Sequence, residues 1–266
     1  MDFAALATRV FIARLILAIT GVLAMAWAVA VIPVILSENA IVDVARAITD
    51  GEVFKAEALT AVLARTDANG DSMLRSSVLG KAAMIRLRQA DDAIRGGNAE
   101  LVKQKLESLT RTVQETLRNA PDDSLLWLVW FWLDTTRNGA RPDNQPFLQM
   151  SYDLGPYEGW IAIKRNRVAL AAFPALTSDL AERAISEFVR LVRWGFIPEA
   201  ADIAAGTAPP LRQILFARLK DLSYDQRRAF ASNIYGRELD DVPVPGIAPP
   251  TNQVPLPVLP PDFYSR

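Results

Sequence analysis

Between Leu15 and Leu36 the chain reads LILAITGVLAMAWAVAVIPVIL, 22 residues without a charge. Beyond it the pattern changes. Apolar residues recur every three or four positions, the period of a helix packed on one face, and no alternating β-branched run is bounded like a hairpin. Val102, Leu106, Leu109, Val113 and Leu117 form one stripe, with Lys103, Lys105, Glu107 and Arg111 turned elsewhere. Ala181, Ile185, Phe188, Val192 and Phe196 form another, opposed by Glu182, Arg183, Glu187, Arg190 and Arg193. Stop signals separate the segments at Asp50-Gly51, Asn69-Gly70, Gly96-Gly97, Ala120-Pro121, Asn138-Gly139, Gly155-Pro156, Phe173-Pro174, Ile197-Pro198 and Pro209-Pro210. Several precede a helix-capping residue, such as Asp122 or Ser178. The pattern predicts roughly nine to eleven short helices, an all-α domain over residues 37–237.

The uncharged run is long enough to matter by itself. A helix of its length rises about 33 Å, enough to cross the hydrocarbon core of a bilayer. Arg9 and Arg14 precede it, whereas residues 37–52 hold Glu38, Asp43, Asp50 and Glu52 against Arg46, a net −3. The positive-inside rule then predicts a cytoplasmic segment 1–14, a transmembrane helix 15–36 and the remaining chain outside. Pro33 falls near the exit, where a lost backbone hydrogen bond is easily replaced. A cleaved signal peptide is the competing reading, since Ala24-Met25-Ala26 and Ala26-Trp27-Ala28 both have the small-x-small pattern. Cleavage there would leave the apolar Val29–Leu36 at a new N-terminus, so an uncleaved anchor is expected.

Composition narrows the chemistry. The 266 residues are 51% hydrophobic and 22% charged, so most of the chain should fold. Neither cysteine nor histidine occurs. That removes disulfides, thiol nucleophiles, Cys/His zinc sites, haem held by His or Cys, and every His-based triad. With 29 basic and 30 acidic residues the net charge is −1, and nothing argues for a nucleic-acid partner. Only six of the basic residues are Lys and 23 are Arg. With abundant Ala, that bias suggests a high-GC bacterial gene, hence a single-pass protein of a bacterial inner membrane with its C-terminal domain in the periplasm. The lack of cysteine suits an oxidising compartment.

Short helices in series raise the question of a repeat. Pro121-Asp122-Asp123-Ser124-Leu125-Leu126-Trp127 resembles the junction of tetratricopeptide (TPR) repeats, where a proline ends one repeat and a Trp opens the next. Gly155-Pro156-Tyr157-Glu158-Gly159-Trp160 is similar to a shortened second copy, its proline 35 residues on. The sequence departs from the family in two slots. Trp130-Phe131 and Ile163-Lys164 stand where a Leu-Gly pair is expected, and Asp134 and Arg167 where a Tyr is expected. The resemblance covers residues 98–173 and implies a TPR-like α-solenoid. In such a stack Trp127, Trp130, Trp132, Trp160 and Trp194 would fill the core between repeats.

Few residues offer chemistry. Asp67-Ala68-Asn69-Gly70-Asp71 opens like an EF-hand loop, but Ser72 replaces the required Gly and Val78 the bidentate acid, so no metal site is expected. Glu158 could stand as the single acid of a lysozyme-like transglycosylase only with that family's further motifs. The Gly-Leu-Met-Gln-type stretch of such enzymes is missing, and an acid in a first helical turn already answers to the dipole. Lys164, Arg165 and Arg167 make a cationic cluster on the Trp160 helix, and Arg190 and Arg193 another, together able to face a partner's carboxylates or an acidic glycan. Residues 238–266 form a proline-rich extended tail, with eight of the 17 prolines at 243, 245, 249, 250, 255, 257, 260 and 261. Pro257-Val258-Leu259-Pro260 has PxxP spacing, and the interleaved Val, Ile and Leu suggest packing or partner contact as much as an inert spacer.

The expectation is therefore a non-enzymatic, cofactor-free scaffold or adaptor in envelope assembly, with surface polysaccharide synthesis or export favoured. Its partners would be envelope proteins and, through residues 15–36, the lipid bilayer. The alternatives are a structural subunit of a membrane complex and a glycan-acting enzyme with paired carboxylates, which would need a deep cleft.

Overall fold

The structure is a computed structural model that describes residues 3–49, 52, 54–67, 76–237, 239 and 241–249. In the first helix the described side chains are Arg14, 17–29, Ile32 and 39–48. The Asp50-Gly51 and Asn69-Gly70 signals and the loop Ala68–Ser72 lie outside the described residues, as do the side chains of Arg9 and Pro33. Among the described residues every regular element is helical, with eleven α-helices and no strand. The chain divides into two compact units, Met1–Leu126 and Trp127–Arg266.

The first unit begins with α1 (Phe3–Thr49), one helix of 47 residues. The boundary expected between residues 36 and 37 is thus helical on both sides. Leu17, Val22, Leu23, Met25, Trp27 and Val29 are each 63–72% exposed, whereas Ile41 and Ala45 near the other end are buried. Among the described residues no helix is long and apolar enough to cross a membrane. The unbroken stretch of described side chains within the uncharged run, residues 17–29, covers about 20 Å of helix.

Three more helices complete this unit: α2 (Ala56–Asp67), α3 (Ser76–Gly96) and α4 (Ala99–Asn119). Ile41 and Ala45 of α1 share a core with Leu59 and Leu63 of α2 and with Val78, Leu79, Ala82 and Ile85 of α3. Asn98 caps α4, its Oδ1 accepting from the Leu101 amide at 3.1 Å. The predicted stripe on α4 is centred correctly, with Leu109 and Val113 buried, but Thr112 and Thr116 share the buried face. Their hydroxyls donate back to the Ser108 and Thr112 carbonyls at 3.2 and 2.7 Å, which satisfies them without a partner helix. Gln89 links three helices, donating to Thr60 Oγ1 at 3.0 Å and accepting from Lys105 Nζ at 3.4 Å.

α5 (Ser124–Asn138) opens at the end of the first unit and carries Trp127 into the second. Its cap is Asp123, one residue later than expected, with Oδ1 accepting from the Leu126 amide at 3.1 Å. There follow α6 (Gln145–Leu154), α7 (Gly159–Ala171), α8 (Ser178–Arg193), α9 (Ile197–Ala205), α10 (Pro209–Ala217) and α11 (Tyr224–Tyr235). Ser178 is the first helical residue of α8, and Thr177 holds the cap position. Within this unit α8 packs against α7, α9, α10 and α11. Its Phe188 meets Phe230 edge to face at 5.8 Å, and Phe230 meets Phe216 likewise at 5.3 Å.

The tryptophans do not fill this core. Trp127, Trp130 and Trp132 are half-buried, while Trp160 and Trp194 are 38% and 40% exposed. α5 instead buries the aliphatic positions Leu128, Val129 and Leu133 with Phe131, and Trp127 and Trp130 lean on Phe147 at 6.1 and 6.0 Å.

Beyond α11 the beginning of the proline-rich tail is packed rather than free. Val242 and Val244 are buried, and Asp241 pairs with Arg212 at 2.9 Å. Arg227 donates to the Pro245 carbonyl, and Gly246, at φ 72°, leaves room for that guanidinium. A Cβ at position 246 would lie 2.7 Å from Arg227 Nη1. This segment and Gln213, Phe216 and Ala217 line an open groove of about 620 Å³. Pro250, Pro255, Pro257, Pro260 and Pro261 lie outside the described residues.

Candidate functional site

The cations singled out on α7 and α8 do not all lie at the surface. On α7 the buried positions are Ile161, Ala162, Arg165, Asn166, Ala169 and Leu170, the two-wide stripe of a helix seated in a core. Arg165 lies in the middle of that stripe and is fully buried. Its assignment to an exposed cationic cluster is therefore corrected: a guanidinium here can meet only the groups packed around it.

Those groups are well matched. Arg165 Nε and Nη2 donate to Glu187 Oε1 at 3.0 and 2.6 Å. Nη1 donates to the Ser151 carbonyl at 2.6 Å, and Nη2 to the Gly155 carbonyl at 3.0 Å. The guanidinium also lies over the Tyr152 ring, 4.4 Å from its centre. One side chain of α7 thereby ties the end of α6 to the middle of α8. Asn166 adds a second tie, donating to the Ala184 carbonyl at 2.7 Å.

The electrostatics of this network are unbalanced. Burial pushes the Glu187 carboxyl above its usual range, although Arg165 pulls the other way. Burial, and then the negative charge of Glu187, push the Tyr152 hydroxyl well above its ordinary value. The Tyr152 hydroxyl and the Glu187 carboxylate also face each other within the network, and their contact raises the one group and lowers the other. Being sealed from solvent, the network holds helices together and reaches no substrate. Glu187, Ser151 and Tyr152 were absent from the candidates drawn from sequence. A signal for Glu187 existed, since it falls seven residues after Leu180 and four before Leu191, on the apolar face.

The remaining candidates lie at the surface. Arg167 is exposed and 4.0 Å from Asp202, which Arg237 holds more closely at 2.9 Å. Arg190 is half-buried, its guanidinium 5.7 Å from the centre of the Trp194 ring. Lys164 and Arg193 are exposed, and the Arg193 carbonyl accepts from Gln226 Nε2 at 3.1 Å. Pro257 and Pro260 lie outside the described residues. Glu158 is exposed at the cap position of α7, and among the described residues no group of three or more acids gathers as a metal site.

What the structure does bring together is an aromatic edge. A Cβ at Gly159 would stand 2.8 Å from two ring carbons of Phe196, so the start of α7 and the α8–α9 loop meet closely there, and a larger residue at 159 would require that ring to shift. That contact sets Tyr157 and Trp160 beside the stretch carrying Trp194, with Tyr157 77% exposed. Lys164, one turn on from Trp160, and Arg190 and Arg193, in the last turn of α8, supply the nearby positive charge. Rings that keep an open face next to cations are suited to contact with a carboxylate-bearing partner.

Asp134, in the slot where the repeat family has Tyr, anchors the α5–α6 turn. It accepts from Asn138 at 2.8 Å and Asn144 at 3.1 Å. Burial alone would raise its carboxyl, but these bonds and Arg141 hold it below the usual range. No family model matches the chain, and no curated protein or solved structure does either.

Proposed function

We propose that the chain is a membrane-anchored, non-enzymatic scaffold of the bacterial envelope, with a TPR-like helical domain on the periplasmic side that recruits assembly partners, those of surface polysaccharide synthesis or export foremost. The observation that carries the reading is α1. Its side chains from Leu17 to Val29 are apolar but for Thr20 and exposed but for the partly covered Ala28, within an uncharged run of 22 residues, while its other end is built into the core of the first unit. Leaving such a surface in water costs several kcal/mol, roughly 25 cal/mol per Å² of apolar area, and a bilayer removes that cost.

Two further features support the scaffold part. α5 and α7 begin 35 residues apart and α6 and α8 begin 33 apart, a spacing close to the TPR period. The exposed Tyr157, Trp160 and Trp194 edge offers partner contact without any catalytic group at its centre.

The test is topology. A reporter active only in the periplasm, fused after Arg266, is expected to be active, and the full chain to resist carbonate washing of membranes. Release of a fragment beginning near Val29, or extraction of the intact chain by carbonate, would overturn the anchor.

A further inference from the structure

We infer that the first unit stands rigidly on the lipid headgroup layer, with the end formed by the start of α3 and the close of α4 turned to the bilayer. The inference rests on the anchor proposed above and adds what that anchor does to the domain it carries.

The argument begins with the helix. α1 continues unbroken from the uncharged run to Thr49, so no flexible linker separates the two. From Leu36 to the fully buried Ile41 is five positions, a rise of about 8 Å. The headgroup region of one leaflet is itself about 5–8 Å deep. Among the described residues Ile41 is the first of the unit's core, so that core begins level with the headgroups and the unit has no slack in which to move away.

The order of the helices then fixes which end faces the lipid. Only residues 50–55 connect α1 to α2, so α2 turns back along α1 toward the bilayer. Only residues 68–75 connect α2 to α3 and Thr60 of α2 meets Gln89 of α3, so these two run antiparallel and α3 starts at the bilayer end. Arg86 donates to Ser108 at 3.0 Å and Lys105 to Gln89 at 3.4 Å. Three positions up α3 is three positions down α4, so α4 returns toward the lipid. Asp123 closes the circuit, since a Cβ on Gly80 would lie 3.2 Å from its Oδ2.

The chemistry of that end suits headgroups rather than hydrocarbon. Lys81, Arg118, Asn119 and Asp122 are exposed there, a polar surface of mixed charge. Zwitterionic lipid offers phosphates to the cations and ammonium groups to the acid.

The chain has no cysteine, so one introduced cysteine is labelled alone. Lys81→Cys and Arg95→Cys, both at exposed positions of α3, would be made in the full chain and labelled with a fluorophore. The protein would then be reconstituted into phosphatidylethanolamine–phosphatidylglycerol vesicles carrying a headgroup-attached quencher. The label at 81 is expected to lose most of its emission. The label at 95, about 20 Å further along the helix, is expected to keep most of it. Six Gly-Ser residues inserted between Ser37 and Glu38 should abolish this difference while the protein still resists carbonate washing. Equal quenching at the two positions without the insert, or a difference that survives it, overturns the rigid stand while leaving the anchor intact. Extraction by carbonate overturns the anchor and the inference with it.

Discussion

Replacing Arg165 by Met is the sharpest perturbation of the second unit, because it removes a charge while keeping a side chain of similar length. At least five hydrogen bonds are lost with the guanidinium, among them two to Glu187, two to Ser151 and one to the Gly155 carbonyl. Glu187 is then a carboxylate with no exposed surface and no cation bonded to it. Breaking one side of a buried pair costs about 3–5 kcal/mol, most of it for the stranded charge. For a unit of this size that is a fall of about 10–15 °C in melting temperature. Five of the six tryptophans belong to this unit, so urea unfolding of the full chain in micelles, followed by tryptophan emission, reports on it directly.

Glu187 also decides what the double variant should do. Burial outweighs Arg165 in setting its carboxyl, so the pair does not recover the full cost of its own dehydration. Arg165→Met combined with Glu187→Leu should therefore regain most of the lost stability. A single Arg165→Met within about 1 kcal/mol of the parent at neutral pH would refute the stranded-charge account, since that account requires a loss in the buried-pair range. A double variant no better than the single would assign the loss to packing instead.

Three other outcomes follow from the same packing. Because the Glu187 carboxyl titrates above its unfolded range, the folded state binds the proton more tightly, and its contribution to stability falls as pH rises from the ordinary carboxylate range through the raised value. Stability of the parent minus that of Glu187→Gln, followed by chemical unfolding from acid to neutral pH, should decline accordingly, and a rise would reverse the sign of the argument. Trp127→Ala should cost about 2 kcal/mol by the same unfolding assay, less than a fully buried tryptophan, because the ring is half-buried and stacked on Phe147. Deleting residues 241–266 should lower stability by about 3 kcal/mol through exposure of Val242 and Val244, whereas an unchanged melt would make this segment a spacer.

Much of this architecture was legible in the sequence, and the failures have identifiable causes. Helical period and Gly/Pro punctuation located nearly every helix of the second unit, because short helices must advertise both a buried face and an end. The caps slipped by one residue, from Asp122 to Asp123 and from Ser178 to Thr177, since neighbouring residues of equal capping ability cannot be ranked by type alone. Charge misled more seriously. Arg165 and Glu187 were assigned to solvated faces by their chemistry, yet both stand on apolar stripes by their position. Two such violations, 22 residues apart on adjacent helices, answer each other in space. A lone charge within a stripe is a hint of a partner within another stripe. The tryptophans misled in the opposite sense, because size suggested core where the local geometry left Trp160 and Trp194 a share of solvent.

The end of α1 shows why hydrophobicity and helix propensity must be followed separately. The uncharged run stops at Leu36, and a boundary placed there takes the return of charge as the end of an element. Charge ends a membrane segment but not a helix. From Ser37 to Thr49 the chain contains neither Gly nor Pro, and SENAIVDVARAIT still presents Ile41, Val44, Ala45 and Ile48 at helical spacing. Nothing in it breaks the backbone ladder, and its apolar face finds α2 and α3. The same residues thus belong to the helix of the uncharged run by continuity and to the first unit by burial. A segment with both memberships transmits orientation: a domain joined through coil would sample every tilt, whereas one joined through a helix that is part of its own core inherits the tilt of that helix. In this chain, that coupling fixes the direction of the first unit to that of α1.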